Sequence, residues 1–187
     1  MLLLGNTVKK QQQVNPKLVS TTCSKFCTTI NYKQEKGFIV TVILKELTKD
    51  NWEACIDLKV HPEQKNFVAS NLYSIAESQF YPGCIPLAVY DDETLVGFIM
   101  YEPDPESSID GTYYITRLMI DCNYQGKGYG RVAMQQVIER LKKSPDCRVI
   151  RMSYVPENTV AATLYRSFGF VPTGEVNDGQ IVVQLSW

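Results

Sequence analysis

The segment Leu118-Met119-Ile120-Asp121-Cys122-Asn123-Tyr124-Gln125-Gly126-Lys127-Gly128-Tyr129-Gly130-Arg131 decides how the rest of the chain is read. An apolar strand, Leu118 to Ile120, runs into a glycine-rich turn. Tyr129 to Leu141 then shows helical apolar spacing at Val132, Val137, Ile138 and Leu141. Strand, glycine turn and helix N-terminus together make an anion-binding arrangement. Glycine lets backbone N–H groups approach an oxyanion closely, and the helix dipole adds positive potential. Lys127 and Arg131 add formal charge, so the physical target is a phosphate or pyrophosphate.

Spacing narrows the ligand. A Walker loop needs Ser or Thr after Gly-Lys, and here Lys127 is followed by Gly128. A dinucleotide fingerprint needs G-x-G-x-x-G and an acid at the end of the next strand. Here the glycines run G-x-G-x-G, and the strand around Arg151 ends without that acid. What remains is Q-x-x-G-x-G, at Gln125, Gly128 and Gly130.

Outward from this segment, the pattern is that of one domain with a tail. Residues 1–37 are rich in Lys, Gln, Thr and Asn without a sustained period, and read as a flexible extension. From residue 38 to 187 the chain reads as one domain. Phe38–Leu47 is a strand, with Thr48 or Asp50 placed to cap a helix through Trp52, Cys55, Ile56 and Leu58. A second helix is expected over Glu63–Gln79, ended by Tyr81-Pro82-Gly83. Ile85–Tyr90 and Leu95–Tyr101 form a hairpin about Asp91-Asp92-Glu93, and Thr112–Ile120 is a further strand. Beyond the glycine loop come a strand at Val149–Val155, a helix at Asn158–Phe168 closed by Gly169, and a hairpin about Asn177-Asp178-Gly179. This order predicts an α/β (α+β) fold: a mixed, mostly antiparallel sheet with helices on both faces.

A second segment sharpens the ligand. Residues 157–170, Glu157-Asn158-Thr159-Val160-Ala161-Ala162-Thr163-Leu164-Tyr165-Arg166-Ser167-Phe168-Gly169-Phe170, carry N-x-x-A-x-x-L-Y-x-x-x-G-F. Together with Q-x-x-G-x-G, this resembles the GNAT N-acetyltransferases, over about Ile43 to Leu185. Within them the chain is most similar to the bacterial diamine and spermidine acetyltransferases. Supporting that are Glu63-Gln64-Lys65-Asn66-Phe67-Val68-Ala69, Leu95-Val96-Gly97-Phe98 and Arg117-Leu118-Met119-Ile120-Asp121.

The resemblance implies acetyl transfer from acetyl-coenzyme A to a primary amine by direct attack, with a polyamine such as spermidine as acceptor. The strand ending at Ile120 and the strand from Val149 splay apart to admit the cofactor. Backbone groups of Leu118, Met119 and Ile120 then pair with the pantetheine arm. The N–H groups of Gln125, Gly126, Lys127, Gly128, Tyr129, Gly130 and Arg131 hold the pyrophosphate, and Asn158 reaches the pantetheine side. Tyr165 is expected to protonate the departing thiolate, since a tyrosine stays protonated near neutral pH. Some polyamine acetyltransferases carry an acid just before the position of Arg117. This chain has Thr116 there, so the base is displaced to Glu102 or Glu175, or replaced by a water chain, or the amine arrives through a minor neutral population. Aminoglycosides and protein amino groups are alternative acceptors. A coenzyme-A-binding module without catalysis, or a nucleotide binder, is the alternative of another class.

Charge agrees with two ligands of opposite sign. Residues 1–65 carry a net charge of +4 and residues 117–187 carry +3. Residues 66–116 hold no Lys or Arg and eight acids, Glu77 and Glu102 among them. Such an acidic stretch suits a cationic small-molecule acceptor. The overall net charge of -1 gives no general attraction to nucleic acid. No apolar run reaches the ~18 residues of a membrane span, and Met1-Leu2-Leu3-Leu4 is too short for a signal-peptide core, so a cytoplasmic setting is expected. The six cysteines are scattered and read as reduced thiols; with His61 the sole histidine, no metal site is expected. The closing hairpin offers an edge for a homodimer.

Overall fold

The computed structural model describes residues 29–33, 39–81, 83–104 and 107–187. Among the described residues eight strands form one sheet in the order β1-β2-β3-β4-β5-β6-β8-β7. They are β1 (Thr29–Lys33), β2 (Ile39–Glu46), β3 (Ile85–Asp91), β4 (Thr94–Pro103), β5 (Thr112–Ile120), β6 (Val149–Tyr154), β7 (Val171–Asn177) and β8 (Gln180–Ser186). The helices are α1 (Trp52–Asp57), α2 (Asn71–Ser78), α3 (Tyr129–Lys142) and α4 (Thr159–Ser167). Neighbouring strands are antiparallel except β5 and β6, which are parallel. The sheet is therefore mixed and mostly antiparallel.

Burial explains the layers. β2 alternates: Val40, Val42 and Leu44 are buried, while Thr41, Ile43 and Lys45 are less so. β4 is central and packed on both faces. Its Ile99 and Tyr101 join the core beneath α3, which contributes Val132, Met134, Val137 and Leu141. Its Phe98 and Met100 join a second core with Met119, Leu58, Val68 and Ile75 beneath α1 and α2. Helices thus cover both faces, as the order of elements requires. The side chain of Asn71 links the two helices of the second face, donating from Nδ2 to the Cys55 carbonyl at 2.8 Å.

Three expectations change. The helix expected over Glu63–Gln79 is two pieces, a 3₁₀ turn at Pro62–Gln64 and α2 from Asn71. The break is local: Ser70 starts a new helix, its Oγ accepting from the Tyr73 N–H at 3.2 Å. α1 begins after Asn51 rather than after Thr48 or Asp50. Asn51 accepts from the Thr48 N–H at 2.8 Å and donates to the Glu46 carbonyl at 3.0 Å, fixing the turn. Part of the span read as extension also belongs to the sheet, because β1 pairs with β2 from Thr29↔Ile43 to Lys33↔Ile39. The remainder of 1–37 lies outside the described residues.

Candidate active site

The sheet opens where β5 leaves β6. Parallel pairing covers only Thr112–Tyr114 against Val149–Arg151. β6 then continues along β8 as far as Tyr154↔Ile181, while β5 continues along β4 to Gly97↔Ile120. From Ile115 onward the β6-facing edge of β5 has no strand partner among the described residues. Backbone donors and acceptors there are left for a ligand to satisfy. At Gly97 the two strands come too close for a side chain: a Cβ would lie 2.6 Å from the Met119 carbonyl oxygen. The absence of a side chain at Gly97 lets β4 lie close against Met119 and Ile120 there.

The opening is the floor of a cavity of about 1030 Å³, a volume suited to a cofactor with its substrate. Leu118, Met119 and Ile120 line it, as do Gln125, Gly126, Gly128, Tyr129, Gly130 and Arg131. The loop has the conformation the glycines permit. Gly126 has φ +75 and Gly128, the N-cap of α3, has φ +90, and a Cβ at Gly126 would meet nothing within 4 Å. A concave stretch of backbone capped by the first N–H groups of a long helix fits a pyrophosphate. Gln125 locks the loop to its surroundings. Its Nε2 donates to the Ile120 carbonyl at 3.0 Å and to Gln64 Oε1 at 2.8 Å, and Gln64 donates back at 3.1 Å. Sequence spacing carries no signal for Gln64, since its role depends on the loop folding beside it.

Lys127 departs from expectation. Its side chain does not line the cavity: it is exposed, donates to the Asn123 carbonyl at 3.1 Å and lies over the Tyr124 ring at 5.1 Å. Arg131 is the loop cation on the cavity wall, stacked on Phe168 at 5.3 Å. Tyr129 donates from its hydroxyl to Asp91 at 2.5 Å, and burial followed by that carboxylate pushes its pKa up to about 12.

Asp121 anchors the start of the loop. Its carboxylate accepts from the Lys59 N–H at 2.9 Å, the Asn123 N–H at 3.0 Å and Asn123 Nδ2 at 2.9 Å. Burial disfavours its charge, but these donors outweigh burial and hold the carboxyl below the usual aspartate range.

α4 supplies the other wall. Asn158 caps the helix, its Oδ1 accepting from the Ala161 N–H at 3.1 Å, which leaves its amide NH₂ turned to other uses. Tyr165 is 7% exposed and lines the cavity. It packs edge-on to Tyr154 at 5.8 Å and tilted to Phe170 at 6.2 Å. Burial, with Tyr154 beside it, drives its hydroxyl well above the ordinary tyrosine range. The phenol therefore stays protonated across neutral pH.

The acids separate into distinct environments. Glu102 and Asp104 are the carboxylates lining the cavity among the described residues. Glu77 on α2 does not line it; Arg117 Nη2 donates to Glu77 at 2.8 Å, while its Nε donates to Ser74 at 3.0 Å. Glu175 is 62% exposed on the edge strand β7, away from the cavity, and pairs with Arg151. Of the substrate residues expected from sequence, only Glu102 reaches the cavity wall. Trp52, on the helix expected to pack its apolar face, is 38% exposed, and Cys55, Cys84, Cys122 and Cys147 are free thiols. Among the described residues no group of His, Cys, Asp and Glu gathers around a metal site, and no helix is long and apolar enough to cross a membrane.

The opened sheet, the glycine cradle at the N-terminus of α3 and the buried Tyr165 thus border one cavity. Residues 44–170 match the Acetyltransferase (GNAT) family. The spermine/spermidine N(1)-acetyltransferase of Bacillus subtilis (strain 168) is 32% identical over 141 residues, spanning 74% of this chain and 93% of that protein. Among solved structures, the PaiA N-acetyltransferase of Thermoplasma acidophilum in complex with coenzyme A superposes with a TM-score of 0.60 at 18% identity. The match covers 78% of this chain and 99% of that one. The GNAT domain of S. lividans PAT superposes with a TM-score of 0.66 at 13% identity, over 85% and 97% of the two chains. The chain belongs to the GNAT acetyltransferase family. It is an acetyl-coenzyme-A-dependent N-acetyltransferase.

Proposed function

We propose that this enzyme transfers acetyl from acetyl-coenzyme A to a primary amine of a polyamine such as spermidine, by direct attack within a ternary complex. The observation that carries this reading is the polarity of one cavity. The glycine cradle and Arg131 line it along α3, and Glu102 and Asp104 line it along the end of β4. An anionic cofactor and a cationic acceptor are thereby drawn to different parts of the same space. The 32% identity to a protein named for spermine and spermidine supports the acceptor class.

Each residue has a role in this reading. The free edge at Leu118, Met119 and Ile120 pairs with the amides of the pantetheine arm. N–H groups from Gln125 to Arg131 hold the pyrophosphate, and the Asn158 amide donates to the pantetheine. Tyr165 gives its proton to the sulfur as the carbon–sulfur bond breaks. The test is incubation of the purified enzyme with acetyl-coenzyme A and spermidine, followed by mass spectrometry. A monoacetylated triamine supports the proposal. Unmodified spermidine beside an acetylated aminoglycoside or lysine peptide replaces the acceptor and keeps the chemistry.

The same reading places the enzyme in the cytoplasm, without nucleic-acid or membrane partners. It assigns β7, whose Val171 and Val176 are 55% and 69% exposed at the sheet edge, as the surface for a second copy. A dimer mass in light scattering, lost on charging Val176, is the expected outcome.

A further inference from the structure

An ammonium has no lone pair, so acetyl transfer to an amine needs a group that takes its proton. Thr116 cannot do so; its hydroxyl donates to the Met100 carbonyl at 3.3 Å. Thr116 is also the extra residue of a β-bulge, since Arg117 lies opposite Met100 and Ile115 opposite Tyr101. The bulge shifts the side-chain alternation of β5. Arg117 consequently shares a face with Met100, Glu102 and Tyr114, the face covered by α2. Glu102 lies opposite Tyr114, two residues from Thr116, and both Glu102 and Tyr114 line the cavity that Tyr165 also lines.

Partners separate Glu102 from the other acids. Glu77 is paired with the Arg117 guanidinium and Glu175 with that of Arg151. Glu102 instead accepts from a neutral donor, the Cys84 thiol, at 2.6 Å. Around this pair stand Glu77 on α2, Arg117 and Tyr114 on β5 and Asp104 just past β4. Burial first, and then Glu102, push the Cys84 thiol up to about 12, so it remains a donor at neutral pH.

Resting on the proposed transfer to an amine, we infer that Glu102 is the proton acceptor for the incoming ammonium, directly or through one water, with Cys84 as its positioning residue. The ammonium gives one proton to the Glu102 carboxylate. The freed lone pair forms the nitrogen–carbon bond, and the carbon–sulfur bond breaks. The sulfur takes the Tyr165 proton, and the second proton lost from nitrogen restores Tyr165 through solvent. Glu102 then releases its proton to water. The products are the N-acetylated amine, coenzyme A and one proton.

The test is the single-turnover rate at saturating spermidine, or the panel amine turned over fastest, across a pH series. Wild type, Glu102→Gln, Glu102→Asp, Cys84→Ala and Cys84→Ser are compared, with acetyl-coenzyme A binding measured for each by calorimetry. Glu102→Gln is expected to bind acetyl-coenzyme A as wild type does and to lose about hundredfold in rate near neutral pH. The deficit narrows as rising pH supplies neutral amine from solution, and Glu102→Asp recovers part of the rate. Cys84→Ala slows the step severalfold and Cys84→Ser restores it. A folded Glu102→Gln enzyme that keeps its rate and only raises the KM for amine overturns the inference, as does a deficit constant across pH. Wild-type enzyme that acetylates no amine overturns the functional reading itself, a result distinct from either.

Discussion

Tyr165 is buried yet borders the cavity, and its hydroxyl has no hydrogen-bond partner among the described residues. In the proposed reaction this phenol gives its proton to the departing sulfur. Tyr165→Phe is expected to lower kcat about hundredfold while changing the KM for acetyl-coenzyme A by less than about twofold. Steady-state kinetics against both substrates checks it. Asp121 makes a different prediction. Its folded pKa is depressed, so its stabilisation is fully present above the unfolded value and is lost as pH falls through the folded one. Asp121→Ala is expected to destabilise by about 1.5–3 kcal/mol at neutral pH, because three donors lose a charged acceptor. The gap between wild type and variant should close below about pH 4 in urea melts. The site is legible in the sequence only in part. The N-x-x-A-x-x-L-Y pattern points to Tyr165 through the family resemblance, and α4 brings that residue to the cavity wall. Sequence does not rank Glu77, Glu102 and Glu175, since what separates them is the partner each meets across the fold: Arg117, Cys84 or Arg151.

The glycine loop and the strand before it form one device. Gly126 and Gly128 take positive φ in the turn that leads into α3. Gly128→Ala forces a side chain into the left-handed region, at a cost of roughly 1–2 kcal/mol. It is expected to raise the KM for acetyl-coenzyme A about tenfold with little change in the KM for amine, as initial rates would show. The loop is readable because its glycines, the preceding strand and the following helix are local in sequence. The helix expected from Glu63 differs for the opposite reason. Apolar residues Phe67, Leu72, Ile75 and Ala76 keep helical spacing, but Ser70 caps a new start and the loop between serves Gln64, which pairs with Gln125. That pairing spans 61 positions and leaves no periodic trace. β1 is hidden likewise: Thr29–Lys33 is short and polar, and its place in the sheet comes from β2.

Across the whole molecule, charge is divided by position in the chain and then sorted again by folding. Of the eight acids in residues 66–116, Glu102 and Asp104 reach the cavity, Asp91 serves Tyr129, Glu77 serves Arg117 and Glu93 pairs with Lys45. Attraction for a polycation should therefore be moderate and salt-sensitive. Raising ionic strength from about 0.05 M to 0.5 M shortens the screening length severalfold. The KM for spermidine is expected to rise severalfold over that range, and the KM for a monoamine to change far less. The central claim, acetyl transfer to a polyamine, is tested most directly by coenzyme A release across a panel of amines. Putrescine, spermidine, spermine, an aminoglycoside and a lysine-rich peptide are each offered with acetyl-coenzyme A, with Tyr165→Phe run in parallel. Fast release with the polyamines, cut sharply in Tyr165→Phe, is the predicted result. Release confined to the aminoglycoside or the peptide, or none with any amine despite tight acetyl-coenzyme A binding, would contradict it.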